Sequence, residues 1–231
     1  FPCSSPVIHE GVAYVMARRL SRQQLVSESL VAIDLVRGEV LWSRWIASSG
    51  QLRRNIEQAV SMPLADGDRI HVRTTAGAIA SVDAATGDLL WVQRMPPPDP
   101  NAFETRMRPY TSLQPVRIPG GLLAHAPDGR TLFMLDPATG EVLDSWSLVS
   151  SPSWNEPLYL LSDGTYIFSV GIDLSCFKID NLDVPLWRHQ WIDSEEDIAG
   201  RIQILEDSII IPMQDRLLQL DSATGNVDTE L

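Results

Sequence analysis

A short segment that ends in tryptophan recurs along the chain and constrains the fold more than any other feature. In its clearest copy, Ser81 to Trp91, a β-rich run ends at Asp83, a turn follows at Ala85-Thr86-Gly87, and a second β-rich run ends at Trp91. The copies are 49, 53, 44 and 41 residues apart, measured between their aspartates Asp34, Asp83, Asp136, Asp180 and Asp221. A period of about 40–50 residues built from short strands is typical of propeller blades.

Each repeat unit reads as four short strands joined by tight turns. Dipeptides such as Asp66-Gly67 and Asp163-Gly164 stand between β-rich runs, and they favour the positive-φ turns that join antiparallel strands. A helical repeat would need long segments of 3.6-residue periodicity, and the one candidate, about 51–60, is short. We predict an all-β fold, a β-propeller of four-stranded antiparallel blades. Five units are visible, at about 1–47, 60–95, 113–149, 154–192 and 199–231.

Two insertions interrupt the repeat, at 47–60 and 96–113, and both are predicted to lie on the surface outside the blade sheets. The second opens with a stiff proline-rich run. It also carries Arg106, Arg108 and Tyr110, which are the best candidates for binding a partner. The whole of 1–231 is interpreted as a single propeller domain or a propeller fragment. Because the chain begins without Met or a signal peptide, we expect a processed protein or a piece of a longer one.

Charge and cysteine content narrow the function classes. The net charge of −12, with 18 basic and 30 acidic residues, disfavours a nucleic-acid backbone or an anionic membrane surface as the main partner. No apolar run approaches the roughly 20 residues of a membrane-spanning helix. Cys3 and Cys176 match no Cys-x-x-Cys metal or redox spacing. A disulfide between them stays open, because pairing needs a geometry that sequence does not show.

The recurring segment resembles the tryptophan-docking motif, Ala-x-Asp-x-x-Thr-Gly-x-x-x-Trp, of the pyrroloquinoline-quinone-like β-propeller family (quinoprotein alcohol dehydrogenase-like). The match is close in the second unit and good in the first, which ends at Trp42. The third unit has Asp144 at the tryptophan position and the fifth has Thr229. The fourth has lost the Thr-Gly turn and places Trp187 seven residues after its aspartate.

The resemblance implies a structural role for the motif. Each tryptophan is expected to lie between blades against the Thr-Gly peptide of a neighbour, and each aspartate to hold its own turn. An indole buries a large area and carries an N–H that needs a partner. The expected docking residues are Trp42, Trp91, Trp187, Asp34, Asp83, Asp136, Asp221, Gly38, Gly87, Gly140 and Gly225. Weaker blade contacts are expected where the third and fifth units lack tryptophan. Trp45, Trp154 and Trp191 lie outside the motif and are interpreted as packing residues.

The resemblance also implies two kinds of function. Some members are quinoprotein dehydrogenases that hold the quinone and Ca²⁺ with a catalytic Asp, and often a disulfide between adjacent cysteines. Others are non-enzymatic scaffolds, such as outer-membrane assembly lipoproteins. This chain has no adjacent cysteines, is shorter than a full dehydrogenase, and has no local motif that places the catalytic Asp or metal ligands. His9, His71, His125 and His189, about one per unit, are not at metal spacing and are interpreted as structural or surface residues.

The leading hypothesis is a non-enzymatic scaffold for protein–protein interaction in a periplasmic or otherwise extracytoplasmic bacterial setting. It expects a protein partner, no cofactor, no catalytic or metal residues, no nucleic acid and no direct membrane insertion. One alternative is a quinoprotein dehydrogenase or a fragment of one, with quinone and Ca²⁺. Another is a ligand-binding ectodomain of a larger receptor or kinase. Because the family usually has seven or eight blades, we expect the remaining blades to lie outside this chain; the alternative is an unusual arc or ring of five units.

Overall fold

The computed structural model describes residues 4–20, 25–50, 61–74, 76–95, 114–126, 131–147, 159–171, 173–190 and 200–230. Its strands form five four-stranded sheets, each with its strands in chain order and each neighbouring pair antiparallel. No helix occurs within these ranges. The prediction of an all-β fold of four-stranded blades is thereby confirmed. The chain divides into two compact units, Phe1–Ser147 and Leu148–Leu231, which are described separately.

The first unit contains three blades. Blade 1 consists of β1 (Val7–His9), β2 (Val12–Leu20), β3 (Leu25–Asp34) and β4 (Val40–Gly50). Blade 2 consists of β5 (Leu64–Asp66), β6 (Arg69–Arg73), β7 (Ala78–Asp83) and β8 (Leu89–Arg94). Blade 3 consists of β9 (Val116–Ile118), β10 (Gly121–His125), β11 (Thr131–Leu135) and β12 (Val142–Ser147).

The second unit contains two blades. Blade 4 consists of β13 (Tyr159–Ser162), β14 (Tyr166–Val170), β15 (Asp173–Lys178) and β16 (Trp187–Gln190). Blade 5 consists of β17 (Gln203–Leu205), β18 (Ser208–Pro212), β19 (Leu217–Asp221) and β20 (Val227–Glu230).

The hydrophobic core lies between the faces of consecutive blades. Successive side chains of a strand point to opposite faces. Each middle strand can therefore pack one row of apolar side chains against the blade on either side. Between blades 1 and 2, Met16 and Leu30 pack with Ile70 and Val82, all fully buried. Equivalent clusters join blades 2 and 3 and blades 4 and 5. Burial of these rows supplies the main favourable term for assembling the blades.

Blade 1 is longer than the sequence predicted. Its strands β2, β3 and β4 have 9, 10 and 11 residues, against 5, 6 and 6 in blade 2. Residues 47–50 belong to β4 and pair with Leu25–Glu28. The prediction that the insertion at 47–60 lies outside the sheets is therefore wrong for 47–50. A β-bulge between Glu28 and Ser29 lets the pairing continue past the point where the shorter blades end. The short helix-like stretch at 51–60 and the insertion at 96–113 fall outside the described residues.

Candidate functional site

The first joint between blades is made by Trp42 of β4. Its Nε1–H donates to the carbonyl oxygen of Ala84 at 3.1 Å, in the turn that follows β7. The ring lies over Gly87, where a Cβ would come within 2.6 Å of the indole Cδ2. Gly87 has φ +74°, so it supplies both a left-handed turn conformation and room for the ring. Arg44, two residues after Trp42, donates from Nε to the carbonyl oxygen of Gly87.

Trp91 makes the same joint between blades 2 and 3. Its Nε1–H donates to the carbonyl oxygen of Pro137 at 3.0 Å, and a Cβ on Gly140 would lie 2.5 Å from its Cε3 atom. Only 9% of Trp91 is exposed. Arg69 adds a bond of 3.1 Å from Nη1 to the carbonyl oxygen of Ala138 in the same turn.

Trp187 makes the corresponding joint in the second compact unit, between blades 4 and 5. Its Nε1–H donates to the carbonyl oxygen of Ser222 at 3.1 Å, and a Cβ on Gly225 would lie 2.5 Å from its ring. In all three joints the acceptor carbonyl belongs to the residue after the aspartate of the next blade. The ring covers the glycine of that turn. The shortened spacing before Trp187 therefore does not alter the contact.

The motif aspartates hold the turns that receive the indoles. Asp83 Oδ1 accepts from the backbone N–H groups of Ala85 at 3.0 Å and Thr86 at 2.8 Å, and from the Thr86 hydroxyl at 3.0 Å. These bonds, led by the one from the Thr86 N–H, lower the pKa of Asp83 from its ordinary value. Backbone or threonine donors likewise lower the pKa values of Asp34, Asp136 and Asp221. The carboxylate of each motif is thus engaged by its own turn.

The remaining motif positions differ from one unit to the next. Gly38 has the same turn conformation, with φ +70°, but nothing lies within 4 Å of a Cβ placed on it. Asp144 and Thr229, which replace the tryptophan, are both exposed. Asp180 forms no such turn among the described residues and instead lies 3.5 Å from Lys178 Nζ.

Other sequence-predicted residues are not brought into one site. Arg106, Arg108, Tyr110, Trp154 and Trp191 lie outside the described residues, so their roles stay predictions. Trp45 is 58% exposed, so its interpretation as a packing residue is wrong. It stands on the outer strand β4, and its Nε1–H donates to Ser48 Oγ at 3.0 Å.

No group of three His, Cys, Asp or Glu residues suited to a metal ion occurs in the described part of the chain. His71 and His125 are buried, and burial lowers their pKa values to about 4 and about 3. The buried thiol of Cys176 is free.

The sequence did not indicate the arginine contacts that reinforce the joints. Arg44 and Arg69 bond to turn carbonyls 43 and 69 residues away. Asp66 of blade 2 also pairs with Arg117 of blade 3, at 3.0 Å from Oδ2 to Nε. No arginine stands two residues after Trp91 or Trp187, as Arg44 does after Trp42. The repeat pattern therefore does not indicate these contacts.

Solved structures of low sequence identity share the fold. BamB from Moraxella catarrhalis is 19% identical, with a TM-score of 0.58; the match covers 100% of this chain and 64% of that protein. The quinohemoprotein alcohol dehydrogenase from Comamonas testosteroni is 14% identical, with a TM-score of 0.60 and coverage of 100% and 43%. The computationally designed protein Ika8 is 13% identical, with a TM-score of 0.57 and coverage of 99% and 61%. The chain thus spans less than two thirds of the length of these proteins.

No curated protein sequence matches the chain. The described part of the chain contains no helix that is long and apolar enough to cross a membrane. One family model, described as "Outer membrane protein assembly factor BamB", matches residues 5–230. This range includes all five blades and the three tryptophan–glycine joints. The chain belongs to this family of outer membrane protein assembly factors, within the pyrroloquinoline-quinone-like β-propeller repeats.

Proposed function

We propose that the protein is a non-enzymatic scaffold that binds a protein partner during the assembly of outer-membrane proteins, on the extracytoplasmic side of a bacterial inner membrane. The family match over residues 5–230 carries this proposal. The match takes in every described strand, so the whole chain supports the assignment rather than a single motif.

The geometry of the joints supports a structural role for the repeated motif. The carboxylate of Asp83 is occupied by its own turn, and the indole N–H of Trp91 is occupied by the next blade. Contacts with a partner would therefore be made by features that differ between blades. One such feature is the long outer strand β4, which exposes Trp45. Exposed tryptophans are enriched among the residues that dominate the energy of protein interfaces.

The proposal is tested by producing the protein with a periplasmic affinity tag in a Gram-negative host and isolating it after cross-linking. We expect outer-membrane proteins or their assembly proteins to be enriched over a tagged periplasmic protein of similar acidity. Trp45→Ala should reduce this enrichment, and so should the combined Arg106→Ala, Arg108→Ala and Tyr110→Ala substitutions. The matched control is Leu205→Ala, which changes an apolar side chain of similar exposure in blade 5. Recovery of the same proteins with the parent and with the unrelated control would reject the scaffold role.

A quinoprotein dehydrogenase is the second candidate, favoured by the structural similarity to the Comamonas testosteroni enzyme. The test adds pyrroloquinoline quinone and Ca²⁺ to the purified protein. It then measures quinone absorbance after gel filtration, together with dye-linked oxidation of primary alcohols. Retention of the quinone with alcohol-dependent dye reduction would replace the scaffold proposal. Elution of all the quinone as free cofactor would reject this second candidate.

A further inference from the structure

Each docking tryptophan packs on a second ring from its own blade. The pairs are Trp42 with Tyr14, Trp91 with His71 and Trp187 with Phe168, and their ring centroids lie 5.8, 5.8 and 6.1 Å apart. The second ring stands on the second strand of its blade. In the strand register one small residue of the third strand lies between the two rings, and these residues are Ala32, Ser81 and Cys176. Tryptophan, small residue and ring thus form one row across three strands of the blade.

The second ring occurs in the blades that have a docking tryptophan and is missing from the two that lack one. In blade 3 the row has Asp144 at the tryptophan position and Leu123 at the ring position. In blade 5 the two positions hold Thr229 and Ile210. The second ring is therefore part of the joint rather than a general feature of the blade.

The joint between blades 2 and 3 has a ring of different chemistry. Tyr14, in the first joint, donates its hydroxyl to the Ala84 carbonyl oxygen at 3.1 Å, and Phe168, in the third, has no titratable group. An imidazole, in contrast, changes its charge between about pH 5 and 8 when its surroundings leave its pKa unperturbed. His71 therefore makes the second joint the one whose ring can gain a charge in mild acid.

The surroundings of His71 suit the neutral ring. The side chain is fully buried, its Nε2 lies 3.5 Å from Asp66 Oδ2, and its Nδ1 has no hydrogen-bond partner among the described residues. Protonation turns both ring nitrogens into donors. A charged His71 would therefore bury an N–H group without an acceptor, which is unfavourable inside a protein.

Charged groups from the surrounding strands do not offset the burial of His71. Asp66 of β5 would attract a protonated imidazole, but its carboxylate already pairs with Arg117 of β9 at 3.0 Å. Arg69 of β6 and Arg117 both act against the added charge, while the neighbours from β7 and β8 are uncharged. Three further charged side chains on the elements of this joint are engaged elsewhere, and they are Arg73, Asp83 and Asp136. Burial outweighs Asp66 and lowers the pKa of His71 to about 4.

We propose that the joint between blades 2 and 3 opens in mild acid because His71 takes up a proton, and that the other two tryptophan joints stay closed. Opening would bring His71 into water, where an imidazole titrates near pH 6.5. The open form then binds a proton that the closed form excludes. The equilibrium constant for opening therefore rises about tenfold for each pH unit between about 6.5 and 4. Opening would also expose the apolar contacts of Trp91 with Ile79 and Leu122.

The rings and aspartates of the other joints keep their charge in this pH range. In the first joint, burial raises the pKa of Tyr14, and hydrogen bonds from Thr86 lower the pKa of Asp83. In the third joint, hydrogen bonds from Thr224 lower the pKa of Asp221. These two joints therefore serve as references within the same molecule.

The indole N–H groups report the three joints separately. Each donates to a carbonyl oxygen of the next blade, so it exchanges with solvent deuterium when its own joint opens. Protein labelled with ¹⁵N-tryptophan gives one indole signal per tryptophan, and replacement of single tryptophans by phenylalanine assigns the signals. The ratio of two exchange rates at one pH cancels the intrinsic pH dependence of exchange, because the exchanging groups are chemically the same.

The expected result is a change in one ratio only. The exchange rate of Trp91 relative to that of Trp42 should rise on the order of 50-fold between pH 7.5 and 4.5, since opening is coupled to the uptake of one proton. The exchange rate of Trp187 relative to that of Trp42 should stay constant over the same range.

Substitutions of His71 test whether this residue is the cause. His71→Phe copies the third joint, and His71→Tyr copies the first, so either variant should make the ratio of Trp91 to Trp42 independent of pH. His125→Leu is the matched control, because His125 is also buried but lies outside the row that contains Trp91. H125L should keep the pH dependence of the ratio.

Two results would overturn the proposal. The first is a ratio of Trp91 to Trp42 that does not change with pH in the parent protein, which includes equal exchange of all three indoles through unfolding of the whole chain. The second is a ratio that rises in H71F or H71Y as it does in the parent. The acid-sensitive joint does not depend on the proposed scaffold role, which the cross-linking experiment tests through recovery of outer-membrane proteins.

Discussion

The indole of Trp91 leaves no room for a side chain at Gly140, 49 residues further along the chain: a Cβ there would stand 2.5 Å from the ring. The same ring donates its N–H to Pro137 and packs with Ile79 and Leu122 in the core between blades 2 and 3. One side chain therefore fills a core position and satisfies a turn carbonyl. This combination adds to the cohesion that the buried apolar rows give these two blades.

Truncation of Trp91 tests that role. Trp91→Ala should lower the free energy of unfolding by about 3–5 kcal/mol, because it removes a large buried side chain and leaves a cavity. Trp45→Ala is the matched control, since Trp45 is 58% exposed and surface substitutions usually change stability by less than about 0.5 kcal/mol. Urea unfolding followed by far-UV circular dichroism measures both. Equal stability of W91A and the parent would show that the indole contributes nothing at this joint.

The turn glycines separate backbone strain from steric exclusion. Gly140→Asn and Gly38→Asn impose similar strain, because φ is +76° at Gly140 and +70° at Gly38. Only Gly140 has an indole against it. We expect G140N to cost about 1–3 kcal/mol more than G38N, as overpacking of a core position does. Thermal unfolding of the two variants gives the difference. If the two substitutions cost the same, the glycines are needed for their backbone conformation alone.

The joints were predictable because their determinants are local and repeated. Asp83, Gly87 and Trp91 lie within one short segment, and the need for a left-handed glycine and a buried indole follows from their chemistry. The contacts of these residues with the next blade were predicted only from the resemblance to the family. Contacts without a periodic signal were missed, including the bond from Arg69 to Ala138.

The long strands of blade 1 were missed for a different reason. Between Trp42 and Gly50 the sequence has no Gly, Pro, Asn or Asp, so its composition did not indicate clearly where β4 ends. The extra length depends on pairing with β3 beyond a bulge, which is a contact between distant residues. Context of this kind routinely overrides local sequence preference in strands.

The thiol of Cys176 should be inert in the folded protein. It lies in the core between blades 4 and 5, and burial raises its pKa to about 12. Thiolate is the reactive form, so a Cys3→Ser variant, in which Cys176 is the remaining cysteine, should not react with Ellman's reagent until it is unfolded. In urea, one equivalent should react at once. Rapid labelling of native C3S would contradict the buried position of Cys176.

Two buried histidines should make the fold acid-sensitive above the range where carboxylates titrate. Burial lowers the pKa of His71 to about 4, against the opposing effect of Asp66, whose Oδ2 lies 3.5 Å from Nε2. Arg69 and Arg117 act in the same direction as burial. Burial and the charge of Arg73 lower the pKa of His125 to about 3. In the unfolded chain both groups take up a proton near pH 6.5.

The sign of the effect follows from this proton uptake. Below about pH 6.5 the two histidines bind protons in the unfolded state but not in the folded state, so the free energy of unfolding falls as the pH drops toward 4. Where the unfolded chain binds one full proton more than the folded one, each histidine changes the free energy of unfolding by about 1.4 kcal/mol per pH unit. His125→Leu should remove the part of this pH dependence that comes from His125. Above about pH 7, the difference in free energy of unfolding between the variant and the parent should stay constant. Urea unfolding at several pH values between 4.5 and 8 measures both curves. Parallel curves for H125L and the parent across the whole range would show that His125 takes up its proton equally in the folded and unfolded states.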